Sequence, residues 1–218
     1  MISLSKRKGN KKIIERREDI ILPLCKGREV LDVGCAGYSA DFEKPGELHE
    51  RIASVAWKVI GVDCDEKNIK RLRSRGYNVV LGNAENIHLE KKFDVIVAGE
   101  VIEHVNNQGL FLENMRRHLR DDGVLVISTP NAYYATFCTK GLFGLKVKMS
   151  PGHIIWHNGE TLAELAKRFG FKIKNLYYVR HVDKPKSLKG RIFLNLCRML
   201  LPPRVNALIL VAILKKKI

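Results

Sequence analysis

No C-x-x-C pair occurs among the five cysteines, Cys25, Cys35, Cys64, Cys138 and Cys197. Their odd number and scatter argue against a disulfide framework or a zinc knuckle, and a reducing cytoplasm fits best. The opening residues are polar and basic with no apolar h-region, and the longest apolar run, Val205 to Leu214, is too short to span a bilayer. These absences predict a cytoplasmic protein, soluble or peripheral to the inner face of the membrane. Acidic residues are scarce at both ends: residues 1–17 and 180–218 set seventeen Lys and Arg against Glu15 and Asp183, which places +15 of the net charge of +16 there. The bulk of the fold is therefore near neutral. Basic ends attract phosphate-bearing surfaces such as anionic lipid or nucleic acid; the plainer reading is solvated tails. At 218 residues and 45% hydrophobic, the chain can bury one full core.

What is present is organised around Val30-Leu31-Asp32-Val33-Gly34-Cys35-Ala36-Gly37. An apolar, β-branched run enters small residues, the pattern of a buried strand ending in a tight turn below a helix start. Such a turn lets a ligand approach backbone, and the first amides of the next helix can bind an anionic group. Ahead of it, Ile13 to Cys25 has helical spacing up to Pro23. Behind it, Glu47 to Ala56 reads as helix and Lys58 to Val62 as a second strand ending at Asp63. This is the strand–loop–helix–strand unit of a doubly wound α/β sheet.

Asp63 stands where a carboxylate can accept both hydroxyl protons of a ribose; the alternative is a helix N-cap for Glu66 to Arg75, a job for which Asp65 is better placed. Further strands are expected at Tyr77–Leu81, Phe93–Ala98, Val124–Ser128 and from Phe171 to Arg180, with helices at Gln108–Leu119 and Glu160–Phe169. Asn206 to Leu214 reads as the last strand, antiparallel at or near the sheet edge. The expected organisation is a basic arm and leading helix (1–27), a core (28–183), a basic amphipathic insertion (184–204) and a final strand with a basic tail (205–218).

Asp32-Val33-Gly34-Cys35, Gly61-Val62-Asp63, Gly82-Asn83-Ala84-Glu85, Phe93-Asp94-Val95-Ile96, Gly99-Glu100-Val101-Ile102-Glu103-His104-Val105 and Ser128-Thr129-Pro130-Asn131 resemble, in order and spacing, the class I S-adenosylmethionine-dependent methyltransferases. The resemblance covers roughly residues 28–180. It implies a Rossmann-like, mostly parallel seven-stranded sheet and S-adenosylmethionine as cofactor. Carried over, it sets the methionine part against Asp32, Gly34 and Ala36, with Gly37 in the same loop. The ribose falls to Asp63, the adenine to Cys64, Asn83 and Ala84, and the sulfonium side to Gly99 and Glu100. One departure stands out: the family's G-x-G-x-G loop here has Ala36 and Tyr38 in place of two glycines, which predicts a different path beyond Ala36.

Methyl transfer from a sulfonium is an in-line displacement in which alignment and water exclusion supply much of the rate. An oxygen acceptor needs its proton removed, by a base or with help from a metal. His104 is the candidate base, its alternative a histidine that shapes its loop. Glu100, Glu103 and His104 sit at i, i+3 and i+4, so a helical turn would present all three on one face, with His153 as a further catalytic or metal-ligating candidate. This pattern resembles the divalent-metal sites of ubiquinone-pathway O-methyltransferases and small-RNA 2′-O-methyltransferases, although metal-free relatives share it. The turn Gly99-Glu100-Val101-Ile102 is not the Asn/Asp-Pro-Pro-aromatic turn of adenine N6 methylation. Cys138 and Cys197 stand in no motif for base C5 methylation and read as small buried residues.

Tyr133 to Ser150, aromatic and basic, reads as a lid over an acceptor pocket or as an ordinary connection with an aromatic cluster. From Leu188 to Leu201, apolar residues share one helical face opposite Lys and Arg; such a helix lies on a membrane, packs on the sheet or pairs subunits. The expected activity is O-methylation of a small or lipid-linked acceptor such as a quinone precursor or a glycan intermediate. The alternatives are metal-assisted RNA 2′-O-methylation and a non-catalytic cofactor-binding protein on the same fold.

Overall fold

The computed structural model describes residues 14, 16–37, 46–147, 150–180, 196 and 201–217. The elements are α1 (Glu18–Cys25), β1 (Glu29–Val33), α2 (Glu47–Val55), β2 (Lys58–Asp63), α3 (Glu66–Ser74), β3 (Val79–Leu81), β4 (Phe93–Gly99), α4 (Gln108–His118), β5 (Leu119–Pro130), α5 (Ala135–Leu142), α6 (Gly159–Arg168), β6 (Phe171–Val179), α7 (Pro203–Asn206) and β7 (Ile209–Lys216). One seven-stranded sheet runs β3-β2-β1-β4-β5-β7-β6. Only β7 is antiparallel to its neighbours, one place in from the β6 edge. The doubly wound, mostly parallel sheet expected from the sequence is the observed one.

The continuous apolar runs of the central strands follow from burial on both faces. Leu31, Val33, Ile96, Ala98, Leu125 and Ile127 pack with Phe111, Leu112 and Met115 of α4 and Leu162 and Ala166 of α6. Their strand neighbours Val30, Val95, Val97, Val126 and Val211 pack with Ile20, Ile21 and Cys25 of α1 and Ile52 of α2 on the other face. Because strand side chains alternate, one sequence run feeds two cores and pins the register of the sheet.

Several boundaries differ from expectation. The leading helix begins at Glu18 rather than Ile13, and the Ile14 carbonyl instead accepts from Arg180 N at 3.1 Å, tying the chain's start to the end of β6. Tyr77 is not in β3; its amide closes α3 on the Leu72 carbonyl at 3.2 Å. β5 is longer than read because Leu119 pairs with Phe93 before the register shifts to Val95 opposite Val124. Asn206 ends the short α7 rather than opening β7, and its side chain donates to the Leu201 carbonyl at 2.6 Å. Cys138 is exposed, correcting the buried reading. Cys197, Tyr38 and the amphipathic Leu188–Leu201 segment, apart from Leu196 and Leu201, lie outside the described residues. Among the described residues no helix is long and apolar enough to cross a membrane.

Candidate active site

β1 and β4 lie side by side although β2 and β3 come between them in the chain, so a crevice opens where the strand order reverses, beyond the strands' carboxyl ends. At that end Gly34 turns with φ +74°, and a Cβ there would stand 2.5 Å from Val101 Cγ2. Backbone conformation and space both demand glycine. The amides of Gly34 and Cys35 donate to the Val62 carbonyl at 2.8 and 3.2 Å. Ala36 N donates to Asp63 Oδ2 and Asp65 N to Asp63 Oδ1, each at 3.0 Å. The Asp63 carboxylate thereby ties the glycine turn to the end of β2, while Asp65 caps α3 by accepting from Asn68 N at 3.0 Å. Burial pushes the Asp63 carboxyl up from its usual range, against the pull of those amides.

Below the turn, Asp32 is 2% exposed and its Oδ2 lies 2.9 Å from Nδ1 of His49, which is fully buried on α2. His49 Nε2 has no partner among the described residues, so the imidazole is committed to Asp32. Gly37, exposed with φ +68°, is the last described residue before position 46. Cys64 and Asn83 are exposed; Asn83 Oδ1 accepts from Glu85 N at 2.9 Å, and the Ala84 carbonyl accepts from Asn114 Nδ2 at 3.0 Å.

After β4, Glu100 adopts φ +61°, the only left-handed non-glycine among the described residues. Its amide donates to the Ser128 carbonyl at 2.8 Å and its carboxylate meets Arg17 Nη1 at 3.0 Å. A Cβ on Gly99 would stand 3.0 Å from Leu48 Cδ2 and 3.7 Å from Arg17 Nη1, so side chains from α2 and from the residue preceding α1 roof this strand end.

The left-handed Glu100 breaks the helical turn expected over 100–104, and a tight turn closed by His104 N on the Val101 carbonyl at 2.9 Å replaces it. The expected quartet is thereby divided. Ligand atoms of Glu103, His104 and His153 lie within 4.8 Å of one another, whereas Glu100 pairs with Arg17. Glu103 is fully buried; Oε2 accepts from Thr129 Oγ1 at 3.0 Å, and Oε1 has no partner among the described residues. Burial, reinforced by the Glu100 charge, pushes the Glu103 carboxyl up to about 8. The His104 and His153 rings meet edge to face at 4.6 Å, and His153 Nδ1 accepts from Trp156 Nε1 at 3.2 Å. Burial, then His104, lowers the His153 pKa. A buried carboxyl with an orphaned oxygen beside two imidazoles fits a divalent cation.

Arg17, His49, Thr129 and Trp156 were not legible as site residues. Arg17 is hidden in a Lys/Arg-rich stretch. His49 does carry a signal: it shares a helical face with buried Ile52, which makes it a polar residue on the inner side of α2.

Comparison with known proteins agrees with this geometry. A methyltransferase-domain family matches residues 5–176. A Mycolicibacterium smegmatis protein named "Probable S-adenosylmethionine-dependent methyltransferase" is 36% identical over 161 residues, covering 72% of this chain and 57% of its own. A ubiquinone biosynthesis O-methyltransferase of Bradyrhizobium diazoefficiens is 32% identical over 117 residues, 51% of this chain and 43% of its own. The chain thus spans about half the length of these curated relatives. Among solved structures, a SAM-dependent methyltransferase from Archaeoglobus fulgidus superposes with a TM-score of 0.63 at 22% identity, covering 92% of this chain and 91% of that one. The crevice at the strand reversal, the glycine turn beside an acidic β2 end and the family match over most of the sequence agree: this chain belongs to the S-adenosylmethionine-dependent methyltransferases of the seven-stranded α/β fold.

Proposed function

We propose that the chain methylates an oxygen of a small or lipid-linked acceptor, such as a quinone precursor or a glycan intermediate. The observation that carries this reading is the Glu103, His104 and His153 trio, within 4.8 Å, one turn beyond the strand end that the family sets beside its sulfonium. S-adenosylmethionine, when bound, supplies an electrophilic methyl group. Asp32, Gly34, Ala36 and Gly37 line its methionine side, Asp63 takes the ribose hydroxyls, and Cys64, Asn83 and Ala84 border the adenine. Gly99 and Glu100 lie at the sulfonium end. Arg17, whose guanidinium holds the Glu100 carboxylate at 3.0 Å and meets Glu18 at 3.7 Å, stands at this end as the cation for the cofactor's own carboxylate. His104 removes the acceptor's hydroxyl proton as the oxygen attacks, and His153 orients the same hydroxyl. A divalent cation held by Glu103, His104 and His153 would replace this base chemistry, since it would occupy the imidazole lone pairs and itself lower the hydroxyl's pKa, with Glu100 joining only if it leaves Arg17.

The experiment incubates purified protein with radiolabelled S-adenosylmethionine and cell extract separated into lipid, small-molecule, RNA and protein fractions. Label in lipid or small molecules, lost in His104→Ala while cofactor affinity persists, is expected. Label in RNA instead would support metal-assisted 2′-O-methylation, which the basic ends and the trio also favour. Cofactor binding without any label would mean a non-catalytic binding protein. Unchanged activity in chelator would remove the metal.

A further inference from the structure

In a protein with no membrane-spanning helix among its described residues, one exposed turn is apolar. α5 ends at Leu142 and runs on into Phe143, Gly144 and Leu145, where Gly144 adopts φ +64° and Leu145 N closes on the Lys140 carbonyl at 2.8 Å. Leu142 is 81% exposed, Phe143 70% and Leu145 59%. Ile154 and Ile155, on the segment that follows, are exposed too. Turn tips are ordinarily polar, and contiguous exposed apolar side chains mark a contact surface.

The tip is linked to the site by packing and hydrogen bonds. Phe137 of α5 stacks on Trp156 with ring centroids 4.5 Å apart and 12° between planes, and Trp156 Nε1 donates to His153. Ile154 N donates to the Glu103 carbonyl at 2.9 Å. Whatever seats the tip therefore seats Glu103 and His153.

Charge selects the occupant. No Asp or Glu occurs between Asp122 and Glu160, whereas Lys140 and Lys146 flank the tip. A second copy would bring like charges together, and a tip of two leucines and one phenylalanine gives nucleic-acid bases a single ring to stack on. An exposed apolar turn flanked by lysines matches a bilayer with anionic headgroups: the apolar side chains enter the acyl boundary and the lysines meet the phosphates. We infer that Leu142, Phe143 and Leu145 at the end of α5, with their flanking lysines, dock the protein on an anionic membrane and set the mouth of the site against it. The role as a route for the acceptor rests on the lipid-linked reading above.

The test floats the full chain with vesicles of phosphatidylcholine alone or with phosphatidylglycerol added. Binding only to the anionic vesicles, weakening as salt rises, is expected. In the L142S/F143S/L145S variant, partition should fall about a hundredfold while calorimetric affinity for S-adenosylmethionine is unchanged. A variant that floats like the parent would assign binding to the basic tail and overturn the proposal. So would a solution dimer that the triple substitution dissociates. Because flotation needs no acceptor, the two readings fail separately: tip-dependent flotation with label confined to RNA refutes the lipid-linked acceptor but keeps the surface. Labelled lipid without flotation does the reverse.

Discussion

Gly34→Ala tests whether the site rests on contact between the glycine turn and the Glu100–His104 turn. Two costs combine. At φ +74° an alanine Cβ crowds its own carbonyl, about 1–2 kcal/mol. At 2.5 Å from Val101 Cγ2 it also forces overpacking, about 1–3 kcal/mol. Gly76 is the internal control, with φ +86° and nothing within 4 Å of its Cβ position, so Gly76→Ala carries only the backbone cost. Urea unfolding should therefore rank Gly34→Ala as roughly 2–5 kcal/mol destabilising and Gly76→Ala as about 1–2 kcal/mol. In a Val101→Ala background the clash disappears, and the cost of Gly34→Ala should drop to that of Gly76→Ala, a coupling of about 1–3 kcal/mol. Since Val101 follows Glu100, the clash should also weaken cofactor binding, and Val101→Ala should restore part of it. Equal cost of Gly34→Ala in both backgrounds would refute the reasoning.

Two further predictions concern buried histidines. His49→Leu leaves the Asp32 carboxylate buried without its 2.9 Å partner and should cost about 3–5 kcal/mol; His49→Gln keeps a donor and should cost much less, so denaturation midpoints that do not separate the two would show that the pair is not holding Asp32. His157 accepts at Nε2 from Gln108 Nε2 at 2.9 Å, and burial lowers its pKa. The unfolded chain then takes up a proton near pH 6.5 that the native state refuses, so stability is complete above about pH 6.5 and falls below it. His157→Gln should make the decline between about pH 7 and about pH 5.5 shallower in thermal melts, and an unchanged slope would remove His157 as a source of it.

Much of this protein was determined by the sequence alone, where the signal is local. Continuous apolar, β-branched runs mark Val30–Val33, Val95–Ala98 and Leu125–Ile127 as strands, and small residues at Gly34 and Gly99 mark where the first two end, because backbone propensity acts within a few residues. Asp65 as the α3 cap is of the same kind. Tertiary structure decided what depends on distant partners. Arg17 reaches Glu100 across 83 positions, His49 turns to Asp32, and a left-handed backbone at Glu100, held by the Ser128 carbonyl on the neighbouring strand, separates that carboxylate from Glu103 and His104. The i, i+3, i+4 spacing assumed a helix that this hydrogen bond forbids. His153 joins the trio from a segment packed through Phe137 and Trp156, and Leu142, Phe143 and Leu145 stay exposed beyond that contact, at the far end of α5. Periodicity says that a side chain is apolar; only the packed fold says whether another part of the chain covers it.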